Sequence, residues 1–133
     1  MKKTGHCHCG AVEFVIPFDK DFKKIRRCNC SMCSRRGAVV CSVKVADLVI
    51  NKGQGKLTLY QFGTFAAKHY FCSICGIYTF HRRRSDPTEY AINIACFDDV
   101  KIEEYQNVTY NDGRNNHPSD SPVKEKEGIA HPN

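Results

Sequence analysis

Cys72-Ser73-Ile74-Cys75-Gly76 has the spacing of a metal-binding knuckle. Two residues between the thiols let one turn of backbone aim both sulfurs at a single ion, and zinc takes thiolates at about 2.3 Å in tetrahedral directions. Gly76 suits the turn because it adopts positive φ without a Cβ penalty. Two further groups lie upstream, Cys7-His8-Cys9-Gly10 and Cys28-Asn29-Cys30-Ser31-Met32-Cys33. The chain has nine cysteines, an odd number that internal disulfides cannot all use. In a reducing compartment, clustered cysteines bind metal or carry redox chemistry more often than they form bridges.

Two pairs complete a closed four-thiolate site, and Cys7, Cys9, Cys72 and Cys75 would supply it. Cys28, Cys30 and Cys33 supply only three ligands, and three ligands with an open position is the catalytic pattern. Spacing leaves other pairings open. Cys28 and Cys30 could join Cys7 and Cys9, or Cys41 or Cys96 could close the triad. Unmetallated thiols, buried or redox-active, are the competing reading. Three thiolates leave a zinc centre with net negative charge, so it activates water less well than zinc on neutral imidazoles. Such a centre can take a thiol as fourth ligand and hold it deprotonated at neutral pH. The expected substrate is therefore a thiol, or a carbonyl compound meeting one, rather than a molecule to be hydrolysed.

The 133 residues around these groups amount to one domain. A hydrophobic share of 41% supports a real core. The body reads as short strands rich in Val, Ile, Thr, Tyr and Phe: 11–16, 38–45, 56–62, 66–71, 77–81 and 90–97. Turn signals lie between them at Gly53-Gln54-Gly55 and Ser85-Asp86-Pro87. No long segment carries a 3.6-residue apolar period; short helical turns are expected near 19–24 and 98–100. The fold class is thus mainly β. Composition turns polar after Tyr110, so residues 1–110 form the domain and 111–133 a partly flexible tail, mobile from about Pro118 onward.

The formal charge is +6, but seven thiolates on two zinc ions would lower it to about +3. The basic balance is then a weak argument for nucleic acid, and the chain lacks an aromatic-basic repeat suited to single strands. No apolar run approaches the roughly 18 residues of a membrane span. Thr4-Gly5-His6-Cys7 stands where a signal peptide would be apolar, so the expected location is the cytoplasm.

With these groups in place, the sequence resembles the glutathione-dependent formaldehyde-activating enzyme (GFA) family, which includes centromere protein V-like relatives. The resemblance rests on Gly5-His6-Cys7-His8-Cys9-Gly10-Ala11-Val12, Cys28-Asn29-Cys30-Ser31-Met32-Cys33, Tyr60-Gln61-Phe62-Gly63-Thr64 and His69-Tyr70-Phe71-Cys72-Ser73-Ile74-Cys75-Gly76. It implies a β-tent fold with two zinc ions. Cys7, Cys9, Cys72 and Cys75 match the structural zinc positions, and Cys28, Cys30 and Cys33 the catalytic ones. The implied activity is that of a carbon–sulfur lyase joining glutathione to formaldehyde. A non-catalytic zinc module or a glutathione carrier is the alternative. Asn29 stands where the family often has His, and a non-ligand residue there would shape the pocket. Asp112-Gly113-Arg114-Asn115 resembles a C-terminal motif of one branch, with Asn116 where an aromatic is common.

Arg35 and Arg36 follow the triad closely, and Arg grips carboxylates bidentately. They are the candidates for binding glutathione, which carries two carboxylates. Arg26-Arg27 and Arg82-Arg83-Arg84 read first as solubilising charge. His69 is either a pocket acid–base or a hydrogen-bonded strand residue. His6 and His8 read as solvated groups or supports beside the thiolates. Cys41 and Cys96 read as small core residues.

Overall fold

The computed structural model describes residues 1–116. Its strands are β1 (Lys2–His6), β2 (Glu13–Pro17), β3 (Arg26–Cys28), β4 (Val40–Lys44), β5 (Val49–Lys52), β6 (Leu57–Tyr60), β7 (Lys68–Cys72), β8 (Tyr78–Arg82), β9 (Glu89–Asn93) and β10 (Thr109–Asn111). Two short helices, α1 (Ser31–Arg36) and α2 (Gly113–Asn116), complete the described chain. Two sheets result, a small one ordered β1-β2-β5 and a large one ordered β10-β3-β4-β9-β8-β7-β6. Neighbours are antiparallel except β10, which runs parallel to β3. The mainly β expectation holds.

The core forms where the sheets face each other. In β2, Phe14 and Ile16 are buried while Val15 between them is half-exposed, the period-2 pattern of a strand with one covered face. Phe14 meets Phe80 of β8 edge-on at 5.5 Å and Phe97 at 5.8 Å, so aromatic edges bridge the layers. Cys41 and Cys96 are buried in this same core. Neither joins a cysteine cluster, which removes them as ligands closing the triad.

All six expected strands exist, with shifted ends. The last expected strand, 90–97, stops at Asn93, whose side chain accepts from the Ala95 amide at 3.1 Å and starts a 3-10 turn over Ile94–Cys96. The helical turn expected at 19–24 does not form. The carbonyl of Lys23 accepts from the Ser42 amide at 2.8 Å, so this backbone is tied to β4, and Lys24 takes a φ of 56°. Residues 98–99 form a turn closed by the Val100 amide on Phe97 O at 3.0 Å. Residues 109–111, across the expected boundary at 110, pair in parallel with β3, and 113–116 form α2. The expected mobility from Pro118 onward lies outside the described residues. Among the described residues, no helix is long and apolar enough to cross a membrane.

Glu89 is a buried carboxylate, 4% exposed, at the start of β9. It pairs with Arg83, Lys24 and Lys44. Burial alone raises its pKa, but hydrogen bonds from Lys24 and Arg83 outweigh that and lower it overall. A lowered carboxyl adds stability that is complete above its unfolded pKa, about 4.3, and is lost as pH falls through the folded value. Glu89→Gln is therefore expected to cost about 2 kcal/mol near neutral pH, because a buried carboxylate loses its charge-assisted hydrogen bonds to Arg83 and Lys24. Thermal melts should show the gap from wild type narrowing as pH drops from about 6 to about 3. A gap independent of pH would mean that Glu89 contributes by packing.

Candidate metal centres

The first cluster joins the two sheets. Cys7 follows β1 of the small sheet, and Cys72 ends β7 of the large one. The knuckles are alike: the Gly10 amide donates to Cys7 O at 3.2 Å, and the Gly76 amide to Cys72 O at 2.9 Å. Both glycines take the left-handed conformation, at φ 80° and 79°. Backbone amides then point at sulfur. Val12 donates to Cys7 Sγ at 3.3 Å, and Ile74 and Cys75 donate to Cys72 Sγ at 3.3 and 3.5 Å. The sulfurs of Cys7, Cys9, Cys72 and Cys75 all lie within 4.8 Å of one another. Cys9 Sγ is 3.7 Å from both Cys7 Sγ and Cys72 Sγ. A tetrahedron of metal–sulfur bonds of about 2.3 Å has edges of about 3.8 Å, so the four thiols fit a tetrahedral ion.

The second cluster is built locally. Cys28 ends β3, Cys30 is the N-cap of α1, and Cys33 lies in its first turn. The Cys33 amide donates to Cys30 Sγ at 3.3 Å, and the Cys30 amide to Cys28 Sγ at 3.5 Å. Gly37, at φ 68°, ends the helix by donating to Cys33 O at 2.8 Å. The three sulfurs lie within 4.8 Å of one another. Hydrogen bonds from the thiols of Cys30 and Cys33, then from the amides of Cys30 and Gly113, pull the Cys28 thiol far down. The same crowding pushes Cys33 far up, because neighbouring negative charge opposes a further thiolate. A bound cation removes that conflict, so the donor set suits a metal ion.

Asn29 occupies the gap between the first two triad cysteines and holds the returning chain. Its amide donates to Asn111 O at 3.1 Å, and its side-chain Nδ2 donates to Asp112 Oδ1 at 3.1 Å. Its Oδ1 accepts from the Arg114 amide at 3.1 Å, and its carbonyl from Arg114 Nε at 3.3 Å. The residue between the cysteines thus clasps 111–114 beside the triad.

The triad faces a cavity of about 70 Å³ whose walls include Arg36, His69, His81 and Phe62. Arg36 turns inward from α1. Its guanidinium lies 3.5 Å over the Tyr78 ring and donates to Cys33 Sγ at 3.7 Å. It also donates to Nδ1 of His69 at 3.1 Å and Nδ1 of His81 at 3.4 Å. Burial first, then Arg36 and Arg84, hold the His69 pKa at about 3. Burial and the neighbouring His69 and Arg36 likewise hold His81 well below its ordinary value. Both rings are neutral at physiological pH. Arg35 points elsewhere: it is exposed and donates to Ser31 O at 2.8 Å, on a wider groove along α1 that Met32, Tyr60 and Ile77 also line. Arg26 and Arg83 are structural, bonded to Ser42 and Glu89 respectively. His6 sits outside the first cluster, donating to Cys7 O at 2.7 Å and Asp98 at 2.9 Å.

A family model described as "Glutathione-dependent formaldehyde-activating enzyme" matches residues 2–111. The chain belongs to that family. A solved structure agrees in fold: the crystal structure of a Rhodobacter sphaeroides protein has a TM-score of 0.77 and is 47% identical. That match covers 81% of this chain and 99% of the other. The cysteine clusters and the cavity wall are both read from this chain's own residues. Sequence reasoning weighed His69 and did not consider His81. What joins them is strand register, His69 of β7 lying directly opposite His81 of β8, and that leaves no local signal in the sequence. It also missed α1, which at six residues is too short to show a helical period.

Proposed function

We propose that this GFA-family chain is a zinc-dependent carbon–sulfur lyase that joins a thiol such as glutathione to a small aldehyde such as formaldehyde. The observation that carries the reading is that three convergent thiols, rather than four, line a cavity. Cys7, Cys9, Cys72 and Cys75 would hold a structural zinc, and Cys28, Cys30 and Cys33 a second. The second zinc, when bound, would hold the incoming thiol as its thiolate at neutral pH.

The chain's residues supply the rest. Arg36 donates to Cys33 Sγ and draws off part of the negative charge of the triad. Phe62 stacks on His69 with ring centres 5.7 Å apart and keeps that wall apolar. About 70 Å³ admits a one-carbon carbonyl beside a sulfur and leaves the body of a tripeptide outside. Arg35, on the groove along α1, would meet a carboxylate of that body. In the reaction the sulfur–carbon bond forms as the carbonyl π bond opens. The proton lost from sulfur ends on oxygen through solvent, and nothing is oxidised or reduced. The chemistry needs alignment more than acid–base power, which an enclosed site supplies. A reducing, cytoplasmic setting would keep the triad thiols available.

Exchange NMR spectroscopy of glutathione and formaldehyde tests the reading. With zinc-loaded protein, the exchange rate between free and adduct formaldehyde should rise in proportion to protein concentration. An unchanged rate would withdraw the lyase assignment. Glutathione binding without acceleration would leave a carrier.

A further inference from the structure

Arg36 constrains the two histidines beside it beyond their charge. A guanidinium has only donors. Because it faces Nδ1 of both His69 and His81, both atoms must be acceptors, and the one proton of each neutral ring lies on Nε2. The Tyr78 hydroxyl lies 2.6 Å from the same Nδ1 and also reaches Ala91 O at 3.4 Å, so it accommodates that tautomer of His81 without dictating it. His69 is 4% exposed, its ring plane is fixed by stacking on Phe62, and it borders the cavity of the triad. Among the described residues, its hydrogen bonding is confined to Nδ1. Nε2 is not sealed off from solvent, so it is free to meet an acceptor that enters the cavity.

We propose that His69 presents Nε2–H to the carbonyl oxygen of the aldehyde, and that Arg36 is the positioning residue that locks it in that tautomer. The proposal rests on the thiol–aldehyde reading above and names the group that receives the oxygen. As the sulfur–carbon bond forms, the carbonyl π pair moves onto oxygen, and a preorganised N–H donor is worth most where charge develops. The ring is neutral before and after; the proton that finally neutralises the oxygen comes from the thiol by way of solvent. A neutral imidazole with a lowered pKa is an established kind of carbonyl-polarising donor. The same arrangement denies His69 a general-base role, because Nδ1 is occupied and Nε2 already carries its proton. Small carbonyl compounds, with one exposed oxygen acceptor, are the ligand class that fits.

Long-range proton–nitrogen NMR on the zinc-loaded, nitrogen-15-labelled full chain provides the test. The His69 ring should show one protonated nitrogen, Nε2, unchanged between about pH 8 and about pH 5.5. Adding formamide, an unreactive small carbonyl, to the glutathione-loaded protein should shift that Nε2 proton. In exchange kinetics H69F should lower kcat/KM about 100-fold, and H69Q, which keeps an N–H donor, about tenfold. Glutathione affinity should stay level in both. A ring protonated on Nδ1, one that titrates within that pH range, or an Nε2 proton that ignores formamide would overturn the proposal. So would wild-type turnover in H69F. If the wild-type protein shows no turnover, the lyase reading fails, while the tautomer and formamide measurements still decide the role of His69.

Discussion

Cys72→Ser is expected to unfold the protein. Cys72 and Cys7 are 0% exposed, and their cluster ties the end of β1 to the end of β7, thereby joining the two sheets. The knuckles lie 63 residues apart, from Cys9 to Cys72, with β2 to β7 between them, so they meet only when the two sheets pack. A structural zinc contributes about 10–16 kcal/mol of apparent binding energy, comparable with the whole stability of a small domain. A serine hydroxyl does not ionise near neutral pH and cannot replace the thiolate. Amide proton–nitrogen spectra of the variant should lose their β dispersion, and elemental analysis should find less than one zinc per chain. Retained dispersion would mean that the aromatic contacts of Phe14 with Phe80 and Phe97 hold the sheets without metal.

Cys30→Ser should have the opposite character, with the fold kept and the chemistry lost. Cys30 is the N-cap of α1 and accepts from the Cys33 amide. Serine is a preferred N-cap residue, so the variant preserves the cap while removing a thiolate. The triad spans only residues 28 to 33 and crosses no interface between sheets. Zinc should fall from two ions per chain to one, melting should shift by only a few degrees on the scale of about 1 kcal/mol, and thiol–aldehyde exchange should return to the buffer rate. Two zinc ions with undiminished exchange would place the catalytic ion elsewhere.

The contrast explains how much was legible beforehand. The triad could be read because its ligands lie within six residues, and local backbone geometry alone brings their sulfurs together. The six strands with Val, Ile, Phe and Tyr could be read because each has apolar side chains to bury. β1, β3, β5 and β10 could not, since stretches such as Lys2–His6 and Arg26–Cys28 are short and polar and owe their conformation to the strands beside them. Arg35 and Arg36 look equivalent as neighbours in sequence. The end of α1 separates them, leaving Arg35 on Ser31 and turning Arg36 onto Tyr78, His69 and His81.

Sequence alone determined the mainly β class, the knuckles and the three-thiol group, because these follow from side-chain type and from spacings of two to five residues. The tertiary structure decided which pairs come together in one cluster that could hold an ion, because Cys7 and Cys72 meet only when the two sheets pack. It also decided that Cys41 and Cys96 serve the core, that Asn29 clasps 111–114 and that His81 faces His69. Each of these depends on strand register and sheet packing between residues far apart in the chain, for which a single sequence carries no local signal.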